Sequence, residues 1–185
     1  AVVKKGNIPS SRTFKRIGFK KKHTFKNKNI YVYKMKKNFL VIGGGFGQIP
    51  AILTAKSNNL NVIVVDRNLR GAGMKLADIA VPIDVIDIDS ILKIAKKYSI
   101  VGVLTMQSDI GIPAVGAVVD DLKLNGPSRK VAALCSNKTL MRKAFKKSRV
   151  SQPAFKIVNN LKETIKASKE IGFPCVIKAT DSSAS

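Results

Sequence analysis

The sequence predicts an α/β fold built on a parallel sheet with helices on both faces. From residue 39 onward, short apolar runs alternate with segments of helical periodicity, and the connections between them are short. The strands are apolar throughout, which is typical of parallel strands buried on both faces. After residue 126 the alternation changes, because two predicted helices follow each other with no strand between them.

The elements of the first region follow from periodicity and from turn residues. Strands are predicted at 39–42, 61–66, 77–83 and 100–104. Helices are predicted at 48–57, 89–98 and 112–122. Asp89 or Ser90 is the expected N-cap of the second helix, whose apolar residues recur on one face.

The second region is predicted to begin as a separate domain. Helices are expected at 128–135, 137–147 and 161–171, and strands at 153–157 and 174–179. The predicted organisation is therefore a basic, poorly ordered extension at 1–35, an α/β domain at 36–126, and an incomplete α+β domain at 127–185.

The net charge of +23 is unevenly distributed along the chain. Residues 1–37 hold 13 of the 34 Lys and Arg residues and no acidic residue. Such an arm could bind a polyanion through counterion release. Lysines outnumber arginines 27 to 7, however, which also fits a bias of genome composition. Nucleic acid is therefore not the favoured partner, and a polyanion-binding protein is kept as the second alternative.

Composition excludes several other classes. A single histidine, His23, argues against histidine-based catalysis and histidine-ligated metals. Cys135 and Cys175 have no metal-site spacing, which favours free thiols and a cytoplasmic protein. No apolar run reaches the roughly 20 residues of a membrane span, so no membrane partner is expected.

A glycine-rich segment, 43–47, lies between the first strand and the first helix. Glycines there permit positive φ and allow an anion to approach the helix N-terminus. Asp66 ends the second strand, where an acid holds the ribose in Rossmann dinucleotide sites, although Gln48 occupies the third glycine position. The segment alone leaves three alternatives open: NAD(P) binding, another anion, or a structural turn.

Motifs further along the chain resemble the ATP-grasp superfamily when they are taken in order. They are Leu104–Asp109, Gly126–Ser128, Asn137-Lys138 with Met141-Arg142, Gln152–Phe155 and Ile171–Lys178. The resemblance covers about residues 36–185 and includes 40 residues between Lys138 and Lys178. It is strongest to ATP-grasp phosphoribosylglycinamide formyltransferase, biotin carboxylase and the carbamoyl phosphate synthase large chain.

On the substrate side, the resemblance implies a Rossmann-like leading domain whose glycine loop faces a substrate. It implies that Gly44, Gly45 and Asp109 line the substrate pocket. The alternative for Asp109 is a structural one, as N-cap of the helix that begins at 112.

On the ATP side, the resemblance implies that Lys138 and Lys178 bind phosphates and that a flexible loop begins at the serines. Those serines are Ser182, Ser183 and Ser185, although Ala179 and Ala184 depart from the usual Pro and Gly. From the residues alone, Lys178 is the stronger candidate because a charge in an apolar strand needs an anionic partner. Lys138 has the alternative of a solvated surface lysine, as do four neighbouring cations, Lys143, Lys146, Lys147 and Arg149.

The resemblance implies an ATP- and Mg²⁺-dependent carboxylate–amine ligase that forms an acyl phosphate. Its partners would be a small-molecule carboxylate and an amine, and a homodimer is compatible with it. No catalytic residue and no metal ligand is expected within the chain, because the Mg²⁺ ligands are expected downstream. We therefore expect residues 1–185 alone to be an inactive fragment. The first alternative, an NAD(P)-binding domain of an oxidoreductase, rests on the glycine loop and Asp66.

Overall fold

The structure is a computed structural model that describes residues 2–4, 7–16, 19–32 and 36–180. The chain divides into two compact units, residues 1–36 and residues 37–185, which are described separately below. Serines 182, 183 and 185 of the predicted ATP loop lie outside the described residues.

The described residues of the first unit form one helix and an antiparallel sheet. Its elements are β1 (Val2–Lys4), α1 (Ile8–Arg16), β2 (Lys20–Phe25) and β3 (Lys28–Val32), with strand order β1-β3-β2. Tyr31 is 2% exposed and stacks on Phe14, with 5.7 Å between the ring centroids. The sequence predicts no helix or strand here, because so few apolar residues are spread among the lysines that no periodicity emerges.

The second unit is built on a four-stranded parallel sheet, as predicted. Its strands are β4 (Asn38–Ile42), β5 (Asn61–Val65), β6 (Ile79–Val81) and β7 (Gly102–Leu104), in the order β6-β5-β4-β7. From β4 the chain proceeds first to β5 on one side and later to β7 on the other side. Open parallel sheets form their ligand crevice at such a switch point.

Three helices cover the sheet: α2 (Ile49–Ser57), α3 (Ile88–Lys97) and α4 (Ile112–Leu122). Successive residues of β4 belong to different cores, since Leu40 and Ile42 pack with α3 and α4 while Val41 packs with Ile52 of α2. Both faces of β4 are therefore buried, which explains why its residues 39–42 are all apolar. Each fully buried Leu or Ile contributes about 1.5–3 kcal/mol to stability.

The remaining helices are α5 (Arg129–Ser136), α6 (Lys138–Lys147) and α7 (Leu161–Ile171), capped by Ser128, Asn137 and Asn160 respectively. Helix α5 packs so closely on α4 at Gly116 that a Cβ added there would lie 2.6 Å from the Cβ of Ala132. The predicted boundary near 126 falls between these two helices and stays a prediction. Among the described residues, no helix is long and apolar enough to cross a membrane.

Several local predictions were wrong. Helix α3 is capped by Asp87, whose side chain accepts a hydrogen bond from the N–H of Ser90, and not by Asp89 or Ser90. The third and fourth strands are shorter than predicted. The segments 153–157 and 174–179 form no strands, because neither pairs with a neighbouring strand within the described residues.

Candidate functional site

The glycine loop leaves the carboxyl end of β4 at the switch point. Gly43 has φ +100° and its N–H donates to the carbonyl of Val65 at 2.8 Å, which fixes the turn. A short 3₁₀ turn, Phe46–Gln48, then leads into α2. Gly45 is exposed, and a Cβ added there would meet no atom within 4 Å. Its carbonyl accepts from the N–H of Gln48 at 3.2 Å, whereas its own N–H makes no hydrogen bond among the described residues.

Gly44 is buried beneath the segment that follows β5. Its N–H donates to Oδ2 of Asp66 at 2.7 Å, and its carbonyl accepts from the N–H of Gly73 at 2.8 Å. A Cβ at Gly44 would lie 2.5 Å from Cγ of Met74, which is itself 3% exposed. Because both of its polar backbone groups are bonded within the protein, Gly44 supports the loop from below while Gly45 lies at the surface.

The carboxylate of Asp66 is already bonded to backbone N–H groups of the protein. Its Oδ2 accepts from Gly44, and its Oδ1 accepts from the N–H of Asn68 at 2.8 Å. A ribose would have to compete with two backbone N–H groups for this carboxylate. The geometry therefore favours a structural role for Asp66 over the dinucleotide role that its position in the sequence suggests.

Gln48 joins the two loops that border the crevice. It is 4% exposed, its Nε2 donates to the carbonyl of Met106, and its Oε1 accepts from the N–H of Met106 at 2.8 Å. Both hydrogen-bonding groups of Met106 are thus held by one side chain. The sequence did not predict that Gln48 links the two loops. The only indication was that a glutamine replaces the third glycine of the dinucleotide fingerprint.

Asp109 lies on the opposite side of the crevice, after β7. It begins a short 3₁₀ turn, Asp109–Gly111, and is exposed. It does not cap α4, because the N-cap position is Gly111 and no side-chain cap is present. Within the described part of the chain, the Asp109 carboxylate has no hydrogen bond or ion pair.

The two lysines of the predicted phosphate site lie on segments that the structure joins. The N–H of Lys138, the first residue of α6, donates to the carbonyl of Thr180 at 2.9 Å. Thr180 is two residues beyond Lys178, so α6 begins beside the segment that carries the second lysine. Lys138 is half-buried and Lys178 is exposed.

The physical argument for Lys178 from a buried strand was wrong. Val176 and Ile177 are 80% and 71% exposed, and the segment pairs with no strand in the described part of the chain. Burial therefore imposes no need for an anionic partner. The case for Lys178 rests on its place in the ordered motifs and on the link between Thr180 and α6.

One carboxylate of helix α7 is engaged in an ion pair. Lys156 pairs with Glu170 at 2.7 Å, and this hydrogen bond lowers the pKa of the Glu170 carboxyl. The described residues contain no group of three or more His, Cys, Asp or Glu side chains that could hold a metal ion. Cys135 and Cys175 are both free thiols.

No family model matches the chain. It is 27% identical over 153 residues to the formate-dependent phosphoribosylglycinamide formyltransferase of Sulfurisphaera tokodaii, covering 82% of this chain and 38% of the relative. It is 26% identical over 161 residues to that of Bacillus subtilis, covering 82% and 40%. The chain thus spans about two fifths of the length of the relatives it matches.

Solved structures agree with these relatives. Phosphoribosylglycinamide synthetase from Anaerococcus prevotii matches with a TM-score of 0.64 and 28% identity, covering 80% of this chain and 38% of that one. The biotin carboxylase domain of the 2-oxoglutarate carboxylase from Hydrogenobacter thermophilus, solved with MgADP and bicarbonate, matches with a TM-score of 0.57 and 19% identity, covering 77% and 34%. At that identity the second match shows the fold alone.

The fold is an α/β domain built on a four-stranded parallel sheet and followed by the helices α5 to α7. The relatives of this chain are ATP-grasp enzymes, and the chain corresponds to their N-terminal region. The resemblance predicted from the ordered motifs is confirmed.

Proposed function

We propose that this chain forms the substrate-binding domain and the first part of the ATP site of an ATP-grasp carboxylate–amine ligase. In that reaction the γ-phosphoryl group of ATP is transferred to a carboxylate oxygen, giving an acyl phosphate and ADP. An amine then attacks the acyl carbon and inorganic phosphate leaves. The observation that carries the proposal is the hydrogen bond between Lys138 and Thr180, which joins the segments of the two lysines in a chain whose relatives are ATP-grasp enzymes.

The substrate is proposed to bind in the crevice between the loops after β4 and β7. Gly45 offers a backbone N–H that makes no hydrogen bond in the described part of the chain, and Asp109 offers a carboxylate without an internal partner there. An accessible N–H can hold an oxygen of the substrate, and a carboxylate can hold its hydroxyl or amine groups. Gly44 contributes by holding the loop in place and not by contact with the substrate.

The ATP phosphates are proposed to bind between the start of α6 and the segment that contains Lys178. Lysine supplies a compact positive charge that stabilises phosphate oxygens in the bound state and during transfer. Ser182, Ser183 and Ser185 are proposed as part of the loop that covers these phosphates. Because the described residues hold no metal-binding cluster, no step through Mg²⁺ is assigned to them. A homodimer and a cytoplasmic location stay predictions.

Nucleotide binding by purified residues 1–185 tests the proposal. We expect weak ATP binding, measured by amide chemical-shift changes, with the largest changes at 137–139 and 178–180. Lys138→Ala and Lys178→Ala should each weaken it several-fold, because each removes one phosphate contact. Lys143→Ala, on an exposed position of the same helix, is the matched control.

The same titration with NADH examines the first alternative. Saturable NADH binding, with shift changes centred on the glycine loop and Asp66, would contradict the ATP-grasp proposal. Shifts induced equally by ATP in Lys138→Ala and in the wild type would also contradict the assigned phosphate site.

A further inference from the structure

The first unit contains a polar groove between α1 and its sheet, unrelated to the residues assigned to ATP. The groove has a volume of about 320 Å³. Three cationic side chains line it together with polar ones: Arg12, Lys15, Lys21, Asn7, Ser11 and Asn29. These are groups that donate hydrogen bonds to phosphate oxygens.

The fold fixes how the three cations converge. Arg12 and Lys15 are three residues apart on α1 and therefore share a face of that helix. Lys21 lies opposite Tyr31 in the antiparallel pair β2–β3, and the Tyr31 ring stacks on Phe14 of the helix. The aromatic pair thus anchors the helix over the strands at the position from which Lys21 faces the groove.

No acidic group in this unit neutralises the cations. Residues 1–36 contain no Asp or Glu, and within the described residues Arg12, Lys15 and Lys21 form no ion pair. Like charges held around one groove repel each other and raise the local concentration of anions. A bound anion relieves this repulsion.

Features outside the groove indicate the kind of anion. Five further cations of the described unit are exposed: Arg16, Lys20, Lys22, Lys26 and Lys28. Phe25, at the start of the hairpin turn, is 61% exposed although Lys26 Nζ lies 5.6 Å from its ring centroid. A small phosphate would use only the groove, whereas a single-stranded nucleic acid would use the additional cations and stack a base on the exposed ring.

We propose that the first unit binds single-stranded nucleic acid, with backbone phosphates held by Arg12, Lys15 and Lys21. The composition bias discussed above explains why lysines are frequent, but it does not explain why three cations and three polar groups line one groove. The interaction is electrostatic and largely independent of sequence, so its affinity falls steeply as salt concentration rises.

Fluorescence anisotropy of the whole chain with a labelled single-stranded RNA of about 16 nucleotides tests the proposal. We expect the triple variant Arg12→Gln, Lys15→Gln, Lys21→Gln to weaken binding by roughly tenfold or more, and to lower the slope of log K against log salt by about 2. The matched control, Lys93→Gln, Lys130→Gln, Lys162→Gln, removes the same charge from exposed positions of the second unit and should change affinity by less than about threefold.

Amide shift changes in the wild-type chain provide a second measurement that does not depend on a variant folding. They should centre on residues 11–15, 21 and 29. Equal weakening in the two triple variants would overturn the proposal, because only net charge would matter. Displacement of the RNA by inorganic phosphate at low millimolar concentration, or stronger binding to anionic phospholipid vesicles than to RNA, would also overturn it. Competition by ATP would place the RNA on the second unit instead.

Discussion

The side-chain amide of Gln48 pairs with both backbone hydrogen-bonding groups of Met106. The two residues are 58 positions apart, and they connect the loop after β4 to the loop after β7. One buried side chain therefore links the borders of the proposed substrate crevice, beside a second link in which the Thr105 hydroxyl donates to the carbonyl of Ile42 at 2.8 Å. Asp109 lies three residues beyond Met106, on the loop that these contacts hold.

Replacing Gln48 with Leu should destabilise the second unit. The substitution keeps the approximate volume but leaves the N–H and the carbonyl of Met106 without partners, which costs about 1–3 kcal/mol. Urea unfolding measures the loss, and hydrogen exchange at the Met106 amide should accelerate. Asn125→Ala, at an exposed loop position, is the control and should have little effect. Unchanged exchange at Met106 would contradict the coupling role.

The two central glycines should respond differently to alanine. Gly44→Ala places a Cβ 2.5 Å from Met74 Cγ and should cost about 1–3 kcal/mol through overpacking. Gly45→Ala meets no atom within 4 Å at φ −76°, so its stability should change by less than about 0.5 kcal/mol. Because Met74→Ala removes the clashing Cγ, the double variant should lose less stability than the sum of the two single variants. Equal losses for the two single variants, measured by thermal unfolding, would refute this distinction.

The N-terminus of α7 should make stability depend on pH. Hydrogen bonds from the backbone N–H of Asn159 and from the side chain of Asn160 lower the pKa of Glu163 below its ordinary value of 4.5. The contribution of this carboxylate is therefore fully present above about pH 4.5 and is lost as the pH falls through the lowered value. Glu163→Gln should reduce the dependence of unfolding on pH in this acidic range. An unaltered dependence in that variant would contradict the assignment.

A second carboxylate on the same helix provides an internal comparison. The hydrogen bond and charge of Lys156 lower the pKa of Glu170. Lys156→Ala should raise the pKa of Glu170 toward its ordinary value and leave that of Glu163 unchanged. Carboxyl carbon chemical shifts followed through an acid titration report both groups in one sample. A parallel rise at Glu163 would indicate a change in the whole helix instead of the loss of one ion pair.

The sequence was sufficient to predict the parallel sheet and most helices, because burial on both faces leaves a strong apolar pattern. Helices α4 and α7 have the predicted bounds, and the family resemblance is confirmed by the relatives. Interactions between distant residues could not be predicted. The contact of Gln48 with Met106 and the contact of Met74 with Gly44 both depend on loops that meet only after the sheet has formed.

The first unit escaped prediction for a different reason. Its packing relies on three aromatic side chains, Phe14, Phe19 and Tyr31, which do not produce a recognisable period among the surrounding lysines. For the segment 174–179 the error was the opposite one. Its apolar composition predicted a strand, but the segment pairs with no strand in the described residues. Apolar composition reports what can be buried, whereas a strand also requires a neighbour for its backbone.

The link between Lys138 and Thr180 can be separated from the charge of the lysine by substituting proline. Lys138 is the first residue of α6, where proline is tolerated because its N–H is not needed inside the helix. The preceding residue, Asn137, already has φ −118° and ψ 112°, as a residue before proline requires. Lys138→Pro should therefore keep α6 while removing the hydrogen bond to Thr180, at a cost of about 0.5–1.5 kcal/mol.

The comparison with Lys138→Ala makes this substitution informative. Both variants remove the charge, but only proline removes the N–H, so amide shifts at 178–180 should change in Lys138→Pro and stay near their wild-type values in Lys138→Ala. Circular dichroism should confirm that helix content is equal in the two variants. Indistinguishable shifts at 178–180 would mean that other contacts hold this segment beside α6. A selective change would show that a single backbone hydrogen bond holds the two proposed phosphate-binding segments together.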